Sequence, residues 1–293
     1  MPSSLAFLRV FALLLAFCLA PGFAQAAPLN VKSAILMDVT TGRILYEQHP
    51  DQRIQPASLT KVLSLYVAYN SISARKTDYS NVVRVSRNAA GTGGSRMGLR
   101  AGDRVTLDKL FYGMAVASGN DASVAVAEHV AGSTGAFVKQ MNALARRLGM
   151  KNSRFVNVHG LPDRNQYTTA RDMLRLARSY QTVYPRARRY HLAPSVTHHG
   201  RTEPNHNPLV RSYPGILGLK TGWVTAAGYN IIASARRRGH TLIAVILGAP
   251  NTSVRTAEIR RLLNAGFDTL GRGPSATAKA LGVTPRQAAL LKK

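Results

Sequence analysis

Two runs rich in β-branched and other apolar residues lie late in the chain. Tyr229-Asn230-Ile231-Ile232-Ala233-Ser234-Ala235 and Thr241-Leu242-Ile243-Ala244-Val245-Ile246-Leu247 are its clearest strands, joined by the polar turn 236–240. A third run, 215–219, leads into Lys220-Thr221-Gly222-Trp223. Near the other end, 33–38 and 43–47 read as a hairpin across Val39-Thr40-Thr41-Gly42. Strands at both ends with helical patterns between them imply that the first and last parts of the sequence close one sheet. The expected fold class is α+β, an antiparallel five-stranded sheet flanked by helices with a large all-helical insertion on one side.

The insertion, about 88–180, reads as nearly all helix. Leu107, Leu110, Phe111 and Met114 share a face in 106–117, Ser118-Gly119-Asn120 interrupts, and helix resumes over 121–130. A further helix spans 136–148, and Thr169 with Asp172 three residues on marks a capped start. Residues 88–95 read as turn material, and their glycines lack the spacing and lysine of a phosphate loop. The last helix covers about 254–270. The stretch 184–214 is basic, rich in histidine and proline, and aperiodic. His198, His199, Glu203 and His206 are admissible zinc ligands. They fall on irregular chain without a recognised spacing, so no metal site and no cofactor is expected.

Before the insertion, Leu59, Val62, Leu63, Tyr66 and Val67 recur at helical spacing after Pro56, which predicts a helix from about Ser58 with one buried face. Ser58 and Lys61 are three apart and share a side of it. A serine becomes a nucleophile when a neighbouring base takes its proton, and a lysine serves where its surroundings disfavour the charged form. Alone, the pair is equally compatible with a helix start carrying a solvated lysine.

Arg9, the apolar run 10–19, Pro21-Gly22 and Ala24-Gln25-Ala26 have the layout of a secretory signal peptide, 1–26. The single cysteine, Cys18, lies within it, so the exported chain is expected to contain neither a disulfide nor a thiolate site. The balance of 39 Lys plus Arg against 13 Asp plus Glu gives a net charge of +26. The cations are scattered without interleaved aromatics, which argues against nucleic acid. Export makes an anionic cell envelope the expected electrostatic partner. Residues 271–293 form a short basic tail, leaving 27–270 as the catalytic domain.

Ser58-Leu59-Thr60-Lys61, Ser118-Gly119-Asn120 and Lys220-Thr221-Gly222 stand in a fixed order. With Pro56-Ala57-Ser58, Asp121-Ala122, 157–161, 168–173 and Ala227-Gly228-Tyr229-Asn230, they make the chain resemble the D-alanyl-D-alanine carboxypeptidases, low-molecular-mass penicillin-binding proteins of serine peptidase family S11. The resemblance covers roughly 30–270. It implies a β-lactamase/transpeptidase-like fold, a periplasmic location, peptidoglycan stem peptides ending in D-Ala-D-Ala as substrates, and β-lactam antibiotics as covalent inhibitors. It also implies roles. Ser58 would be the nucleophile, Lys61 its base and Ser118 a proton relay to the leaving amine. Asn120 would bind the substrate backbone, and Lys220 with Thr221 the terminal carboxylate. The N–H groups of Ser58 and Trp223, beside Gly222, would form the oxyanion hole. Lowering a lysine pKa from about 10.4 to about 7 requires roughly 4–5 kcal/mol of differential stabilisation, part of which Lys220 would supply.

Two departures stand out: Val224 occupies a position where relatives usually carry threonine, and so does Ser64. Val224 is expected to weaken binding of substrate or β-lactam. The same motifs would serve a D,D-endopeptidase that cuts peptidoglycan cross-links, or a cell-wall-binding protein without turnover. A class A β-lactamase would carry Asp where Gly119 stands and a deacylating glutamate, whereas only Glu128 and Glu203 lie between Asn120 and Lys220.

Overall fold

The computed structural model describes residues 28–272. The expected leader 1–26 and the tail beyond 272 lie outside the described residues. Strands β1 (Ser33–Asp38) and β2 (Ile44–Gln48) form the first hairpin. A 3-10 turn at Ala57–Leu59 runs into helix α1 (Thr60–Ser73). After β3 (Val82–Arg84), the insertion holds α2 (Arg87–Gly91), β4 (Arg104–Thr106), α3 (Leu107–Ala115), α4 (Asn120–Ala131), α5 (Thr134–Arg147) and α6 (Ala170–Val183). Then come α7 (Arg188–Leu192), the hairpin β5 (Ser195–His198) and β6 (Arg201–Pro204), α8 (Leu209–Ser212), β7 (Ile216–Val224), β8 (Gly228–Arg237), β9 (His240–Ala249) and α9 (Thr252–Arg272).

The main sheet is antiparallel throughout, in the order β2-β1-β9-β8-β7, so the first and last strands close it as the sequence implies. Alternation along a strand sends successive side chains to opposite faces. Ile35 and Met37 of β1, Ile232 of β8, and Ile243, Val245 and Leu247 of β9 join one apolar cluster with α1 and the insertion. Ala34 and Leu36, Ile231, Ala233 and Ala235, and Leu242, Ala244 and Ile246 join a second, covered by Ile259, Leu262, Leu263 and Phe267 of α9. Both faces are covered, which is why β9 reads as an unbroken apolar run.

The structure changes three expectations. Helix α1 buries eleven of its fourteen residues rather than one face, because it lies between the sheet and the insertion. The insertion is not nearly all helix: β4 lies within it, pairing with β3 just before it, and part of the stretch expected as turn, 88–95, is the short helix α2, capped by Ser86 Oγ accepting from Ala89 N. The aperiodic stretch 184–214 contains α7, the β5–β6 hairpin and α8. Elements of three to five residues are too short to show a period.

Candidate active site

Ser58 sits in the turn that starts α1, and the chain before it is held tightly. Asn230 of β8 donates Nδ2–H to the carbonyls of Gln55 (3.1 Å) and Pro56 (3.4 Å), and its Oδ1 accepts from Gly248 N at 2.8 Å. Ala57 has φ +50, a left-handed conformation costing a non-glycine residue about 1–3 kcal/mol. That turn leaves Ser58 partly exposed while Lys61 is fully buried.

Lys61 Nζ has three oxygen neighbours: Ser58 Oγ at 2.9 Å, Asn120 Oδ1 at 2.7 Å and the carbonyl of His159 at 2.7 Å. Asn120 also donates Nδ2–H to Gly93 O (2.6 Å), which fixes the amide with its oxygen towards the lysine. The His159 carbonyl is presented by a loop folded on Asn157, whose Oδ1 accepts from Gly160 N (2.7 Å) and whose Nδ2 donates to Leu161 O (3.0 Å). Burial, reinforced by the charge of Lys220, pushes the Lys61 pKa well below the usual lysine range, against a smaller pull from Asp121. Burial and Lys61 likewise hold the His159 imidazole down at about 4.

Ser118 is buried, with φ +57, in the turn between α3 and α4. Asp121, three residues on, accepts from the backbone N–H groups of Met97 (2.9 Å), Gly98 (2.9 Å), Leu99 (3.0 Å) and Ala122 (2.8 Å). It thereby anchors the strap 97–99 against the start of α4. Each carboxylate oxygen accepts from two of these N–H groups, so Asp121→Asn leaves two of the four donors facing an NH2 group in a buried site. The expected cost is about 3 kcal/mol, measured as a lowered urea midpoint at unchanged slope.

Across from Ser58 runs β7. A Cβ on Gly222 would lie 2.9 Å from Ser58 N and 3.1 Å from Ala57 Cβ, so strand and nucleophile approach more closely than a side chain allows. Lys220 is buried and donates to Thr221 O at 2.9 Å; burial and then the Arg255 charge bring its pKa down to about 7. Thr221 is buried and Trp223 is 53% exposed. Val224 turns into the apolar cluster beneath the sheet, away from any role as a cleft hydroxyl.

Four contributors lie outside the expected set. The His159 carbonyl is backbone and gives no residue-type signal. Asp121 reads in sequence as an ordinary first-turn acid. Arg255 lies on α9, 7% exposed, with Nε buried and unpaired among the described residues. His206 lies within electrostatic reach of Lys220, Lys61 and Arg255, and burial leads these charges in lowering its pKa to about 4. The two glutamates weighed for deacylation are engaged elsewhere: Glu128 accepts from Asn88 Nδ2 at 2.8 Å and Glu203 pairs with Arg201. A Cβ on Gly119 would lie 2.8 Å from Asp121 Oδ1, leaving no room for the aspartate of class A β-lactamases.

An antiparallel sheet closed by both chain ends, with a Ser-x-x-Lys helix start against its edge strand, places the molecule among the β-lactamase/transpeptidase-like proteins. Within that class, the D-alanyl-D-alanine carboxypeptidase family model of peptidase S11 matches residues 22–251, and the chain belongs to this family. The D-alanyl-D-alanine carboxypeptidase DacF of Bacillus subtilis is 37% identical over 242 residues, 81% of this chain and 62% of that one. DacC of Escherichia coli is 38% identical over 250 residues, again 62% of its length against 83% of this chain. The chain therefore spans under two thirds of these two relatives. Penicillin binding protein 5 of Haemophilus influenzae superposes with a TM-score of 0.80 at 35% identity, over 83% of this chain and 72% of that one.

Proposed function

We propose that the protein is a serine D-Ala-D-Ala carboxypeptidase acting on peptidoglycan stem peptides through an acyl-enzyme on Ser58. The observation that carries this reading is the set of three oxygens around Lys61 Nζ. A neutral amine has two N–H groups and one lone pair. Asn120 Oδ1 and the His159 carbonyl can only accept, so they take both N–H groups and leave the lone pair directed at the Ser58 hydroxyl. After proton transfer the ammonium has three donors and the same three acceptors. The proton thus moves without any rearrangement of its surroundings.

In the reaction so derived, Ser58 Oγ attacks the carbonyl carbon of the penultimate D-alanine while its proton passes to Lys61 Nζ. The carbonyl oxygen becomes an oxyanion held by N–H groups of Ser58 and Trp223, a contribution of about 3–4 kcal/mol per donor. On collapse the C–N bond breaks, and a proton returns through Ser118 to the leaving amine of the terminal D-alanine. Water, deprotonated by the same lysine, then hydrolyses the ester. The edge strand β7 can receive an extended peptide as an added strand. Lys220 when protonated and Arg255, whose buried Nε is unpaired, supply the positive charge, and Thr221 a hydroxyl, that select a free terminal carboxylate.

Penicillin-Binding Protein D2 of Listeria monocytogenes, 26% identical with a TM-score of 0.75, has been solved in a cefotaxime-bound form. By the same attack, β-lactams are proposed to acylate Ser58 here. A periplasmic site of action fits the leader-like N-terminus, and the net charge of +26 favours contact with an anionic envelope. None of the helices among the described residues is long and apolar enough to cross a membrane.

Two expected outcomes follow from this chemistry. Mass spectrometry of the protein with a pentapeptide ending in D-Ala-D-Ala shows loss of one D-alanine, and none with Ser58→Ala. Cleavage of a cross-linked muropeptide dimer with the pentapeptide left intact would move the assignment to endopeptidase. Lys220→Met removes the charge that adds to burial in depressing Lys61, so the Lys61 pKa rises and the acidic limb of kcat/KM moves to higher pH. KM for a free-carboxylate peptide rises in the same variant. An acidic limb that stays in place contradicts the coupling.

A further inference from the structure

We propose that Asp103, His198 and His199 form a zinc site that clips the β5–β6 hairpin to the segment leading into β4. Asp103 lies just before β4, 95 and 96 residues from the two histidines, and its Oδ2 faces both His198 Nε2 (3.2 Å) and His199 Nε2 (2.9 Å). The three candidate donor atoms lie within 4.8 Å of one another. In tetrahedral zinc with bonds of about 2.0–2.1 Å, neighbouring ligand atoms stand roughly 3.3 Å apart. The two nitrogen–oxygen separations are within a few tenths of an ångström of that spacing.

The backbone produces this convergence against the strand pattern. Adjacent residues of a strand point to opposite faces, yet the rings of His198 and His199 lie with centroids 4.1 Å apart. The cause is a two-residue turn, His199-Gly200, between His198 and its partner Arg201, with φ +47 and +74. Positive φ at both central positions is the type I′ arrangement that Asn-Gly ordinarily fills. A histidine there is unusual, and its ring is brought back over the carboxylate. The other side of the site is equally fixed: Arg100 N donates to Asp103 Oδ2 (2.8 Å), Gly102 N to Val85 O (2.9 Å) and Val85 N to Asp103 O (2.8 Å).

Two imidazoles and one carboxylate suit zinc and its borderline neighbours. Three protein ligands leave a fourth position for water. Zinc would replace the two N–H···O contacts, each neutral imidazole shifting its proton to Nδ1 with no net release. His199 is exposed and the other two half-buried, so the ion has a path in. This set differs from the four residues weighed in sequence: Glu203 is paired with Arg201, and His206 faces the Lys220 side of the cleft.

The test is calorimetric titration of zinc chloride into tag-free, chelator-treated protein, wild type beside His199→Ala, Asp103→Asn and His240→Asn. His240 makes a separate single contact with Asp38 (3.0 Å) and serves as a histidine-loss control. The expected result is one zinc per chain with a micromolar Kd in wild type and H240N. H199A and D103N are weakened on the order of 100-fold or more, beyond the roughly 10–100-fold cost of losing an outer partner of a ligand. Saturating zinc raises Tm in wild type and leaves it unchanged in D103N, which keeps the side-chain volume should H199A fold poorly. Equal zinc binding in all four proteins, or no heat from wild type at millimolar zinc, overturns the proposal.

Discussion

Lys61→Met is expected to lower the rate of D-alanine release by about 10²–10⁴-fold, the range over which a positioned base contributes, while the protein remains folded. Methionine fills the volume of a buried lysine stem without the amine, so the apolar packing of α1 is retained. What is lost is the acceptor for the Ser58 proton, together with the donor to Asn120 Oδ1 and His159 O. Leaving those two oxygens unpaired costs about 1–3 kcal/mol each. Removing a buried amine that resists charging offsets part of this. Tm should therefore fall by a few degrees while kcat falls by orders of magnitude. Release of D-alanine at more than a tenth of the wild-type rate contradicts the assignment of Lys61 as base.

Gly160→Ala should damage both stability and turnover although Gly160 has no side chain to react. Its φ is +93, and a Cβ there would lie 1.9 Å from Ala57 O, 2.3 Å from Ala57 C and 3.0 Å from Ser58 N. These are backbone atoms of the nucleophile and of the strained residue before it, and they cannot swing aside. The loop must retreat, taking the His159 carbonyl away from Lys61, or the turn at Ser58 must move. An expected loss of about 3 kcal/mol or more follows from combined strain and overlap. A displacement near 1 Å at the reacting groups can by itself cost about 100-fold in rate. Gly149→Ala is the comparison, for Gly149 also has positive φ (+72) but open space around it. That change should cost about 1–2 kcal/mol and leave kcat unaltered. Equal behaviour of the two variants would show that contact with Ala57 is unimportant.

Much of the fold was legible because its strongest signals are long apolar runs or long periodic ones. β8 and β9 stand out as long apolar runs, α3, α4 and α6 carry enough apolar residues to declare a helical period, and Ser118-Gly119-Asn120 falls at the break between two helices. Ser58 and Lys61 are legible because three residues along a helix fixes their neighbourhood in advance. The rest depends on distance in sequence. Asn120 meets Lys61 across 59 residues and the His159 carbonyl does so across 98, so neither contact has a local signature. The loop 157–161 could be noticed as a pattern, but its contribution to the site is a backbone oxygen. Arg255 looks like one more cation in a basic helix until α9 buries it within electrostatic reach of Lys220. The β5–β6 hairpin escaped for a different reason. With four residues a side it depends on a histidine at positive φ, where turn chemistry would favour asparagine.

The most direct measurement of the central claim is the rate at which a penicillin acylates the protein between pH 5 and 10, followed by quenched-flow mass spectrometry with the labelled peptide sequenced. The expected result is a single adduct on Ser58 and an acidic limb well below the usual lysine range, because burial and then the Lys220 charge disfavour the charged form of Lys61. Label on another residue, or a rate that climbs up to pH 10 as an unperturbed lysine would require, contradicts the account.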